Sequence, residues 1–81
     1  MAKFDKSTLF CKKVALTLKA ERERKNLSMT SIAESAGLSQ QMVSYVERGM
    51  RTPTLLTVLQ ICDAIGVDII EVLKKAKSVR L

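Results

Sequence analysis

Between residues 29 and 48, two short segments with helical apolar spacing are joined by only three residues, Gly37, Leu38 and Ser39. So short a link with a glycine in it cannot lay two helices antiparallel in full contact; it favours a crossed pair. The rest of the chain is punctuated just as sparsely. Gly37, Gly49, Pro53 and Gly66 are its only glycines and proline, and every segment between them has apolar residues at helical spacing without sustained alternation. The 81 residues therefore predict one all-α domain of five helices at 7–25, 29–36, 40–48, 55–65 and 69–77, with a leader at 1–6 and a tail at 78–81.

Three of the helix starts share a pattern in which an apolar residue precedes a polar N-cap and a second apolar residue occupies the fourth helical position. The pairs are Leu27 with Ile32 around Ser28, Leu38 with Val43 around Ser39, and Val67 with Val72 around Asp68. Each is a hydrophobic staple. Glu71, three residues after Asp68, adds a capping-box arrangement, and Gly66 is placed to end the fourth helix. In the first helix Phe10, Val14 and Leu18 form a stripe for burial, while Lys12, Lys13, Lys19, Arg24 and Lys25 occupy the other faces.

Composition removes several functions. The formal net charge of +6 suits nucleic acid, an anionic membrane surface or an acidic protein, and does not choose among them. No run reaches the roughly 18 apolar residues of a membrane span, and Lys3, Asp5 and Lys6 stand where a signal peptide needs an apolar stretch, so a cytoplasmic location is expected. Two cysteines, Cys11 and Cys62, are too few and too far apart for a disulfide framework or a zinc site; both are expected to be buried small apolar residues. There is no histidine for a Ser-His or Cys-His pair and no glycine-rich phosphate loop, so no enzyme, metal or cofactor is expected.

The stretch MTSIAESAGLSQQMVSYVER at 29–48 resembles the helix-turn-helix of the phage repressor and Cro (XRE-like) group of bacterial transcription regulators. The resemblance runs from about residue 18 to 73 and includes RTPTLLTVLQICDAIGV and DIIEVL. It implies a five-helix, lambda-repressor-like DNA-binding domain. The family wants a small residue where the two helices cross, here Ala33, and a turn residue that tolerates positive φ, here Gly37. Ile32, Ala36, Leu38, Val43 and Val46 take its inward positions. The family also often pairs an arginine late in the first helix with a glutamate near the end of the third, which makes Arg22 and Glu47 a structural ion pair.

With Val43 and Val46 inward, Gln40, Gln41, Ser44, Tyr45 and Arg48 fall on one outward stripe of the third helix. In the resembling family, positions near the start of this helix enter the major groove and read bases, which nominates Gln40, Gln41, Ser44 and Tyr45. Glutamine suits the task, since its amide can donate to adenine N7 and accept from N6. Phosphate contacts are expected to flank the stripe at Ser39, at the positive end of the helix, and at Arg48, Arg51 and Thr52 beyond its other end. Where the family commonly has a phosphate-contacting glutamine at the start of the second helix this chain has Met29, leaving Thr30 or Ser28 to take its place.

The fourth helix can bury Leu55, Val58, Cys62 and Ile65 with Ile61 beside them, which leaves Leu56 and Leu59 over. Ile69, Ile70, Val72 and Leu73 similarly overfill the fifth. A surplus of this kind marks an interface, and the family usually dimerises near its C-terminal helices, so a homodimer through Leu56, Leu59, Ile69, Ile70 and Leu73 is expected. The competing arrangement has Leu9 and Phe10 of the long first helix covering the patch within one chain. The resulting expectation is a sequence-specific regulator that binds double-stranded DNA as a dimeric repressor or controller on a palindromic operator. With the chain ending soon after the fifth helix, no small-molecule ligand is expected. The alternative is a protein-interaction or antitoxin-type module that uses the same fold. Charge mapping moves the weight of the argument: residues 1–27 hold eight basic and three acidic residues, residues 28–57 two of each, and residues 58–81 four and three. The proposed reading head is neutral, and specificity has to come from Gln40, Gln41 and Ser44.

Overall fold

The computed structural model describes residues 5–81, so residues 1–4 of the leader lie outside the described residues. Five helices follow in order: α1 (Lys6–Arg24), α2 (Met29–Ala36), α3 (Gln40–Glu47), α4 (Leu55–Ile65) and α5 (Ile69–Ser78). No strand is present among the described residues. Each helix begins at a side chain that accepts a hydrogen bond from an otherwise unpaired backbone N–H. Ser28 accepts from Ser31 at 3.0 Å and Ser39 from Met42 at 3.0 Å. Asp68 accepts from the Ile70 N–H at 3.2 Å, two residues on. Two further caps, Asp5 on Thr8 at 2.8 Å and Thr54 on Thr57 at 3.1 Å, set the starts of α1 and α4. Asp5 thereby begins α1 one residue earlier than its apolar spacing predicts.

The core is a single cluster drawn from all five helices. Leu18, Ile32, Val43, Val46, Ile61, Cys62 and Val72 are its largest fully buried side chains. Leu27, Leu38 and Val67, the outer halves of the three staples, pack against it. Burial pushes the Cys62 thiol up to about 11, as befits a small apolar core residue. α5 lies along α1, and α2 packs on both α3 and α4. Lys25 joins the end of α1 to the end of α4: its ammonium donates to the Ile65 and Gly66 carbonyls at 3.1 and 2.9 Å. Cations are favoured at this negative end of a helix. Gly66 itself sits at φ +86°, and a Cβ there would meet the Lys25 Nζ at 3.1 Å.

Two expectations fail together. Cys11 is exposed and Leu55 is 68% exposed, although both were placed in the core. Both border an open apolar cavity of about 200 Å³ whose walls include Phe10, Val58, Pro53, Ile69 and Leu73. Leu55 is the first residue of α4 and Cys11 lies near the start of α1, so each overhangs the cavity instead of filling the core. Ile69 and Leu73, nominated for the dimer surface, are half-buried against the chain's own core. Leu56, Ile70 and Leu59 remain exposed at 65%, 53% and 39%, so Leu9 and Phe10 do not cover them.

Candidate nucleic-acid interface

α2 and α3 are held at their crossing by a chain reversal at Gly37. This residue takes φ +72° and its N–H bonds back to the Glu34 carbonyl. A side chain at such a φ is strained, which is why glycine suits the position. Ile32 and Ala33 of α2 and Val43 and Val46 of α3 are then buried, the two valines completely. Met29 is also half-buried against the core, which explains its departure from the family's polar residue there.

With one side of α3 sealed, the predicted stripe is outward. Gln40, Gln41 and Arg48 are exposed, and Ser44 and Tyr45 are half-buried. Gln40 is tied to α2, because the Thr30 hydroxyl donates to its Oε1 at 3.0 Å. One turn apart on α3, Gln41 Nε2 donates to the Tyr45 hydroxyl at 2.6 Å. The Tyr45 ring in turn lies beside two guanidinium groups, Arg51 at 5.4 Å and Arg48 at 5.9 Å from its centroid, within cation–π range. Thr52 is exposed beside them. At the other end Ser39 uses its oxygen as the cap and keeps its hydroxyl proton free to donate, next to the first N–H groups of α3. These groups form one surface: a stripe of amides and a hydroxyl, with a helix N-terminus at one end and two arginines at the other.

The surface is locked to the body of the domain through Glu47. Arg22 Nε and Nη2 donate to its two carboxylate oxygens at 2.7 and 3.0 Å, and Arg22 Nη1 donates to the Leu27 carbonyl at 2.7 Å. Both side chains are buried, and the hydrogen bonds from Arg22 to Glu47 hold the guanidinium above its ordinary pKa. The pair joins the last residue of α3 to α1.

Sequence reasoning missed a second anchor. The buried Glu21 carboxylate accepts from Arg24 at 2.6 Å and from Lys75 at 2.9 Å, across 54 residues, which clamps α5 to α1. Those bonds, Arg24 first, bring Glu21 down to about 2. The Gln41–Tyr45 bond also went unread, although a glutamine and a tyrosine four apart on a helix are neighbours. The signal for it was present.

Residues 18–72 match the helix-turn-helix family. Over 50 residues the chain is 38% identical to an uncharacterized HTH-type transcriptional regulator, y4dJ, of Sinorhizobium fredii, covering 62% of this chain and 65% of that protein. It is also 38% identical, over 51 residues, to an uncharacterized HTH-type transcriptional regulator of Mycobacterium tuberculosis, covering 63% of this chain and 36% of that one. The chain thus spans less than two thirds of the length of either relative. Among solved structures, the clp gene regulator ClgR from Corynebacterium glutamicum superposes with a TM-score of 0.81 at 25% identity, over 89% of this chain and 95% of that one. The restriction-modification controller protein C.AhdI from Aeromonas hydrophila superposes with a TM-score of 0.70 at 32% identity, over 74% and 91%.

Proposed function

The chain belongs to the helix-turn-helix family of transcriptional regulators, in the phage repressor and Cro group, and from that premise we propose that it binds double-stranded DNA sequence-specifically to regulate transcription. The carrying observation is the outward stripe of Gln40, Gln41 and Ser44 over fully buried Val43 and Val46. A helix presented this way can enter the major groove, where amides and hydroxyls meet base edges. Ser39, Arg48, Arg51 and Thr52 border the stripe and would meet phosphates, setting register without reading sequence, and Thr30 would join them only by giving up its hydrogen bond to Gln40.

The protein acts as a symmetric homodimer whose two α3 helices reach half-sites about 34 Å apart, one turn of DNA. Leu56, Leu59 and Ile70, exposed on α4 and α5, supply the apolar contact, with Leu55 added to them. Ile69 and Leu73 support that surface from beneath. Occupancy of a promoter or operator, which blocks or recruits polymerase, is the mechanism this arrangement suits. Selection from a random duplex library tests it: a palindromic consensus with half-sites one helical turn apart is expected. No enrichment would overturn the reading in favour of a protein partner for α3.

A further inference from the structure

We propose that Tyr45 is a positioning residue that presets Gln41 to read adenine and reject guanine. The inference rests on the DNA-binding reading above and deepens it. Gln41 and Tyr45 lie one turn apart on the outward face of α3, and Gln41 Nε2 donates one of its two hydrogens to the Tyr45 hydroxyl at 2.6 Å. What remains for a ligand is one N–H and the carbonyl Oε1. One donor beside one acceptor is the set that adenine N7 and its N6 amino group require. Guanine offers two acceptors, O6 and N7, and a full pair of hydrogen bonds there would need both Gln41 hydrogens. While Tyr45 holds one of them, guanine receives a single bond.

Tyr45 is itself restrained. Its ring is half-buried, with the Arg51 and Arg48 guanidinium groups 5.4 and 5.9 Å from the centroid. The ring therefore stays fixed on the helix, and the hydroxyl it carries is in place before DNA arrives. Ordering the Gln41 side chain in advance also lowers the entropy lost on binding. The neighbouring amide is preset differently. Gln40 accepts from the Thr30 hydroxyl through Oε1 and keeps both of its own hydrogens free, so it does not depend on Tyr45.

The test is site selection from a random duplex library with the unmodified chain, Gln41→Ala and Tyr45→Phe. The phenylalanine keeps the ring beside the arginines and removes only the hydroxyl. Gln41→Ala identifies the base position that Gln41 reads, and there the unmodified chain favours adenine over guanine. In Tyr45→Phe that ratio falls about two- to tenfold, the worth of one neutral hydrogen bond. The change at that position exceeds the change at every other position and on unselected duplex. An unchanged ratio in Tyr45→Phe, a loss spread evenly over all positions, or a Gln41 position that favours guanine would each overturn the assignment while leaving DNA binding intact. If the unmodified chain selects no site, the DNA-binding reading fails, and this inference with it.

Discussion

Glu47, the last residue of α3, receives the Arg22 guanidinium in a buried, two-pronged contact. Removing it leaves buried Arg22 with only the exposed Glu23 carboxylate at 3.9 Å, so Glu47→Ala is expected to lose about 3 to 5 kcal/mol of stability in denaturant titration. A loss under 1 kcal/mol would show that the pair does not hold α3. A loss of DNA binding in that variant would reflect the destabilised fold and says nothing about base reading. The partnership was legible in the sequence from the positions of Arg22 and Glu47 in the resembling family. The Arg22 bond to the Leu27 carbonyl was not, because it depends on how the chain turns after α1, where Asn26 takes φ +58°. Cys11 and Leu55 show the limit of reading burial from residue type and spacing. Cysteine is a common core residue and Leu55 has the spacing of a buried stripe, but the cavity beside them is a property of how α1, α3, α4 and α5 meet.

Among the elements, α1 and α5 are joined by a contact that pH can release. The hydrogen bonds from Arg24 and Lys75 bring Glu21 to about 2 from an ordinary 4.5, so the folded state holds its charged form more tightly than the unfolded state does. Stability from this clamp is complete above pH 4.5, where both states are ionised. It is lost as pH falls from 4.5 toward 2. Thermal melts across that window are expected to show Glu21→Gln starting below the unmodified chain at neutral pH and converging with it in acid. Parallel curves would mean that ionisation of Glu21 contributes nothing to stability. The helix starts themselves were readable, since Ser28, Ser39 and Asp68 are capping residue types next to staples. The Glu21–Lys75 clamp was not, because 54 residues separate partners that only the packed bundle brings together.

At the scale of the molecule, the net charge of +6 lies mostly on α1 and the segment before it, while α3 and its surroundings are neutral overall. The positive charge can steer the protein to DNA, and under the proposed function Gln40, Gln41 and Ser44 then choose where it stays. The exposed Leu55, Leu56, Leu59 and Ile70 are the apolar residues through which we propose that a second copy binds. Light scattering with size-exclusion chromatography at tens of micromolar is expected to give a dimer without DNA, and Leu56→Lys a monomer. A monomer in the unmodified chain would contradict the dimer.

The central claim is that α3 reads sequence, through amides whose placement the fold fixes. Affinities of the unmodified chain and Gln41→Ala, measured at one fixed salt concentration on the selected site and on a scrambled duplex, test it most directly. The account predicts a loss of about 1 to 3 kcal/mol on the selected site and none on the scrambled one. Equal losses on both, or no loss on the selected site, would contradict it.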